Sequence, residues 1–259
     1  MSPSSSKKCP AVSIISAVLN AKNDLLDTIE SIKAQDYSDL EYIVVDGLSQ
    51  DGTQEVLQEN RDIVTRWVSE KDSGISDAFN KGVKMASGDY VIFLGAGDTF
   101  DSKDTILEMM KGVDVTQDLL ICGKVRCLSE SGEILKIAPK QMHNPFKKSS
   151  LIYKLTLPHQ GLFMHKNYFK KFGFFNEKNR FAMDYELILR SFHDFPVIQL
   201  KDRVVANWRA GGIGKDRTLE IYDEYHWIKK HHQIAPLYWL VLVDQWNRLK
   251  WRAKSRFHF

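Results

Sequence analysis

Four apolar runs, each ending in polar or acidic residues, constrain this chain more than any other feature. Residues 12–19 (VSIISAVL) end at Asn20, and residues 40–45 (LEYIVV) end at Asp46. Residues 65–69 (TRWVS) lead into Glu70 and Asp72, and residues 90–94 (YVIFL) into Gly95-Ala96-Gly97-Asp98. Short Val- and Ile-rich runs of this kind suit strands covered on both faces. Between them lie segments of helical spacing. One is capped by Asp24 and carries Leu25, Leu26, Ile29 and Ile32; one runs from Thr53 to about Asn60; one runs from Ile75 to Met85 and is broken by Ser87-Gly88-Asp89. Strand and helix alternating at this pitch predict an α/β fold, a mostly parallel sheet with helices on both faces.

The rhythm changes after residue 115. Residues 119–128 and 133–138, separated by Ser131-Gly132, read as a hairpin on the edge of that sheet. An amphipathic helix near 184–192, a strand near 197–205, a Gly211-Gly212 turn and two C-terminal helices complete the pattern. The expected organisation is an arm over 1–10, a ligand-binding half over 11–115, a second half of the same domain over 116–215, and a helical tail over 216–259.

A length of 259 residues suits one large domain or two closely packed ones. With 43% hydrophobic and 27% charged residues, wholesale disorder is excluded. A net charge of +3 argues against a nucleic-acid partner bound by phosphate neutralisation. That charge is unevenly placed: residues 245–259 carry five basic and no acidic residues, which leaves the body slightly acidic. Three cysteines without a CxxC pair fit a reducing compartment. The N-terminus has no apolar core of a secretory signal, and no run approaches the ~18 apolar residues of a membrane span.

Open α/β sheets bind ligands at the carboxyl ends of their strands. One acid at such a junction is more often a cap or turn former, but recurrence after three successive strands points to a shared site. The sequence has no phosphate loop. Carboxylates repel phosphate unless a divalent cation lies between them. The residues therefore suggest metal-bridged binding of a diphosphate.

The segments SIISAVLN, YIVVDGLSQDGT and SEKDSGISDAFNKGVKMASGDYVIFLGAGDTF, in this order and spacing, resemble family 2 glycosyltransferases of the GT-A fold. PHQGLFM (158–164), FAMDYELILR (181–190) and GGI (211–213) resemble the acceptor half of bacterial polysaccharide-assembling members. The resemblance implies that Ala17, Val18 and Leu19 lie under a nucleotide base, that Asp46 accepts from uracil, and that Asp72 lies near base and ribose. It implies that Lys81, within Asn80-Lys81-Gly82, flanks the nucleotide; a solvated helix lysine is the plainer reading. Ala96-Gly97-Asp98 stands where the family has its metal-binding DxD, so Ala96 and Gly97 border the nucleotide and Asp98 is the ligand of Mn²⁺ or Mg²⁺. Alanine in the first acidic position is a departure from the family pattern.

The resemblance also implies that Asp184 is the base of an inverting displacement. At helical spacing residues 184, 187 and 188 share a face, while Glu186 lies about 200° away. A simple N-cap is the bland alternative for Asp184. His159, Arg190 and Gly212 are weaker acceptor or diphosphate contacts, with Arg209 and Lys215 as further cations. The expected reaction moves a sugar from a nucleotide-sugar, UDP-linked by the Asp46 match, to a hydroxyl of a lipid-linked surface polysaccharide. The expected location is cytoplasmic, peripheral at the inner face of the inner membrane, with 245–259 as a basic and aromatic contact to an anionic surface. The competing class is a nucleotide-sugar-binding pseudoenzyme, motivated by Ala96.

Overall fold

The computed structural model describes residues 9–209 and 217–256. The parallel part of the sheet is built from β1 (Val12–Val18), β2 (Leu40–Asp46), β3 (Val64–Ser69) and β4 (Tyr90–Phe93). They lie in the order β3-β2-β1-β4, all parallel. β1 is buried along almost its whole length because both faces are covered. Ile14 packs into one core and Ile15 into the other, as the two-residue period of a strand requires.

α1 (Lys22–Lys33) turns Leu25, Ile29 and Ile32 inward at helical spacing and leaves Leu26 partly exposed. It starts after Ala21, so Asp24 sits inside the first turn instead of capping it. α2 (Thr53–Glu59) and α3 (Ile75–Met85) follow the predicted bounds closely. α3 lies hard against β1: a Cβ on Gly82 would stand 2.4 Å from Cγ2 of Ile15. Only glycine permits that approach.

Beyond β4 the sheet becomes mixed. β5 (Thr99–Phe100), α4 (Thr105–Met110), β6 (Leu120–Leu128), β7 (Ile134–Ala138), β8 (Leu162–His165), α5 (Lys166–Phe172), α6 (Met183–Arg190) and β9 (Ile198–Arg209) follow in the chain. The sheet continues β4-β8-β6-β9-β5, with β7 paired only to β6. The predicted hairpin forms, but it is not an edge. β6 is embedded between β8 and β9, and only β7 is exposed. Its neighbours come from 34 or more residues downstream, a pairing that local pattern does not reveal. The helix expected over 184–192 ends at Arg190 and gives way to a 3-10 turn, Phe192–Asp194.

α7 (Thr218–His231) and α8 (Leu237–Arg256) pack on the second core through Ile228 and Leu240. Between them Lys229, 1% exposed, pairs with Asp244, which also meets His226. All three cysteines are free thiols; Cys122 lies in the core. Among the described residues no helix is long and apolar enough to cross a membrane.

Candidate active site

The carboxyl end of β4 opens on a cleft of about 800 Å³, bounded on the far side by α6 and the end of β9. From the N-terminal half come Gly95, Ala96, Gly97 and Asp98; from the C-terminal half come His159, Gln160, Met183 and Asp184. Ala96, Gly97, Asp98, His159, Asp184 and Arg209 of the expected residues are therefore brought to one cavity.

Asp98 is only 4% exposed. Its carboxylate accepts from the Gly95 N–H at 2.9 Å, and the Gln160 side chain and Arg209 backbone also donate to it. Burial outweighs these donors and pushes its pKa up to about 7. The loop is pinned from beneath by α1. The Gly97 N–H donates to the Asp24 carbonyl and to Thr28 Oγ1, each at 3.0 Å, and Thr28 Oγ1 donates to the Asp98 carbonyl at 2.9 Å. Gly97 has φ +86°, a conformation open to glycine at little cost.

Asp184 lies in the first turn of α6 without capping it. Glu224 of α7 instead holds the segment that leads into α6: its carboxylate accepts from the N–H groups of Arg180, Phe181 and Ala182 at 2.6, 2.8 and 2.8 Å. Asp184 Oδ1 accepts from the Tyr185 N–H at 2.7 Å, its own backbone N–H also donates to the carboxylate, and the residue lines the cleft. Burial pushes its pKa up to about 6; the Tyr185 N–H opposes this and the nearby Glu224 charge adds to it. A carboxyl in that range is suited to exchange a proton near neutrality.

His159 stacks on Phe93, centroids 4.9 Å apart, and its buried Nε2 has no hydrogen-bond partner among the described residues. Burial lowers its pKa to about 4, so it is neutral at pH 7.

Other expected residues stand outside this cavity. Asp46 is sealed: its oxygens accept from the Ser49 N–H at 3.1 and 3.2 Å, from Ser69 Oγ at 2.5 Å, and from Ser49 Oγ. It orders the exit of β2 from within. Asp72 is the half-buried acid over that exit, close enough that a Cβ on Gly47 would meet its Oδ2 at 2.7 Å and Leu19 Cδ1 at 3.4 Å. The Val18 carbonyl, Leu19, Gly47 and Asp72 thus meet at one strand exit, while Ala17 turns to the opposite face of β1. Lys81 bonds Glu70 at 2.9 Å and Asp77 at 3.3 Å and donates to the Lys71 carbonyl, contacts that raise its pKa. It ties α3 to the end of β3.

Arg190 is a correction. It forks onto Glu186 and donates to the Phe172 carbonyl, and His232 joins Glu186 from the other side. This clamp holds α5, α6 and α7 together and does not line the cleft. Glu186 is structural, as its place on the helix suggests. Gly212, with Gly211 and Lys215, lies outside the described residues.

Sequence reasoning missed Thr28, Glu224 and Asn80. Asn80 clamps Phe175 by giving to its carbonyl at 3.0 Å and taking its N–H at 2.9 Å. Each acts across 40 or more residues of sequence. Only Asn80 carried a signal, its place in the Asn80-Lys81-Gly82 motif.

A parallel half, a mixed half and an acid-lined cleft between them define a GT-A glycosyltransferase. Residues 13–175 match the model of glycosyl transferase family 2, and the chain belongs to that family. A PGL/p-HBAD biosynthesis glycosyltransferase of Mycobacterium bovis is 26% identical over 252 residues, 94% of each chain. An uncharacterized glycosyltransferase of Mycobacterium tuberculosis is 30% identical over 212 residues, 80% of this chain and 78% of that one. Among solved structures, S. aureus TarS 1-349 in complex with UDP-GlcNAc has a TM-score of 0.68 at 17% identity, over 84% of this chain. This chain spans 65% of that fragment. The mannosyltransferase PcManGT of Pyrobaculum calidifontis, in complex with GDP-Man and Mn²⁺, has a TM-score of 0.64 at 18% identity, over 92% of this chain and 74% of that one.

Proposed function

We propose that this glycosyltransferase inverts the anomeric centre, taking a sugar from a UDP-sugar and delivering it to a hydroxyl of a lipid-linked glycan at a membrane face. The observation that carries this reading is that Asp98 and Asp184, from opposite halves of the chain, enter one cleft as desolvated carboxylates. Carboxylates with raised pKa values in a shared cleft mark functional sites more often than chance pairs.

Residues around the β1 exit support donor binding. Exposed Leu19 offers a surface to the base, Asp72 faces it, and Asp46 keeps the exit in shape. Ala96 and Gly97 border the diphosphate, and the small side chain of Ala96 leaves room there. Asp184 takes the proton of the acceptor hydroxyl while that oxygen attacks the anomeric carbon. The bond to the diphosphate breaks on the opposite face, and nucleoside diphosphate leaves with its electrons. Neutral His159 walls the site without adding charge.

Asp98 fits a divalent cation. It is a buried carboxylate oriented by three donors, and Mg²⁺ or Mn²⁺ commonly takes one or two protein carboxylates with phosphate oxygens and water. Such a cation, held by Asp98 and the donor, would supply charge neutralisation on the leaving diphosphate. Among the described residues no group of three His, Cys, Asp or Glu gathers for a metal, so the donor itself would complete the ligand set.

The membrane side of the proposal is supported by α8. Tyr238, Leu242, Trp246 and Leu249 form an exposed apolar strip, and Lys250 lies over the Trp246 ring at 4.8 Å.

The test is a panel of UDP-, GDP- and dTDP-sugars with Mn²⁺, Mg²⁺ or EDTA, reading binding and nucleotide release. Release from UDP-sugars above the others, lost in EDTA, is expected. Tight binding with no turnover of any donor, with acceptors present, would establish the pseudoenzyme instead.

A further inference from the structure

A second cavity of about 780 Å³ lies across β7 from the cleft. The two share Lys136 and Ala138, so this exposed strand is a low wall between them. The floor of the second cavity is apolar, with Ile137, Met142, Phe146, Leu157 and Leu200 among its lining residues. Its rim carries four exposed lysines, Lys136, Lys140, Lys147 and Lys154, and no acidic residue lines it. None of the four makes an ion pair with a described residue.

Four like charges around one opening repel each other, and no described residue forms an ion pair with any of them. They are complementary to an anion. The apolar floor adds a second requirement, because a bare phosphate has nothing to bury there. One molecule satisfies both: a hydrocarbon chain with an anionic group beside it. A cavity of this volume is in the range that houses such a ligand. The groove also lies near the strip described on α8. Asn247 of that helix donates to the Tyr153 carbonyl at 2.9 Å, one residue before Lys154.

We infer that this groove holds the anionic, apolar-chain end of the acceptor, a phospholipid-type carrier whose glycan crosses β7 into the cleft where Asp184 lies. The carrier's negative group sits among the lysine ammonium groups, and its chain lies along Ile137, Met142 and Phe146. The acceptor's identity rests on the transferase reading; the binding of an anionic amphiphile does not.

The experiment uses the full chain and dodecyl phosphate below its micelle concentration, with inorganic phosphate and decyl glucoside as controls, read by calorimetry. Binding of a UDP-sugar with Mn²⁺ is measured on the same samples. Dodecyl phosphate is expected to bind saturably, at least tenfold tighter than either control. Lys140→Glu/Lys147→Glu and Met142→Asp should each weaken it at least tenfold and leave UDP-sugar binding unchanged, which also reports that the variants are folded. Equal binding to wild type and the double-lysine variant, or no binding, overturns the inference. So does inorganic phosphate binding as tightly as dodecyl phosphate, because the groove would then be a phosphate site only. A protein that binds dodecyl phosphate as expected but no nucleotide-sugar would keep the groove and remove the donor reading.

Discussion

The base role proposed for Asp184 requires it ionised, and burial holds its pKa at about 6. Activity is therefore expected to be low below that pH and to rise to a plateau above it, seen as an acid limb near 6 in kcat/KM. Glu224 sets this residue twice over, by fixing the segment that enters α6 and by its charge. Glu224→Gln leaves one of three N–H groups without a carboxylate oxygen and removes the charge. It should lower kcat about 10- to 100-fold, with donor binding retained, and move the acid limb to lower pH; a purely structural Glu224 would shift Tm and leave the limb in place. Asp98 makes an opposite bargain. Its folded pKa of about 7 lies above the ordinary 3.8, so the stability it contributes is complete below about pH 4 and is lost as pH rises through 7. Asp98→Asn should raise Tm by about 5 °C at pH 8 in EDTA and change it little at pH 4. The same variant should lose the Tm increase that Mn²⁺ and nucleotide-sugar give the wild type.

At the level of elements, α7 and α8 are joined by a buried ion pair, Lys229 with Asp244. Lys229→Met leaves Asp244 with His226 as its remaining partner and should cost about 3 kcal/mol in urea unfolding, whereas Lys229→Met/Asp244→Leu should recover most of it. The elements also show what was legible beforehand. The parallel strands and α3 were readable because continuous apolar runs and helical spacing are local signals. The place of β6 was not, since its partners β8 and β9 arrive much later in the chain and nothing in residues 120–128 names them. Glu224 and Thr28 escaped for the same reason. Asp98 and Asp184 were found through family resemblance, and Arg190 was misplaced because its helix position alone does not say that Glu186 and His232 claim it.

Over the whole molecule, the acid-lined cleft and the lysine-rimmed groove adjoin across β7 and α8 bonds the segment beside the groove, an arrangement the proposal reads as one route from nucleotide to membrane surface. Binding to vesicles with phosphatidylglycerol should exceed that to neutral vesicles and weaken with salt. Leu242→Ser/Trp246→Ser should reduce sedimentation at least tenfold with UDP-sugar binding intact; unchanged sedimentation would remove the membrane from the account. The central claim, that Asp184 is the base in a donor-loaded cleft, has a more direct test. Nucleotide release and UDP-sugar affinity are measured for wild type and Asp184→Asn with Mn²⁺ at pH 8. The account predicts donor affinity within about threefold and turnover lower by about 10²–10⁴-fold, whereas turnover equal to wild type in Asp184→Asn would contradict it.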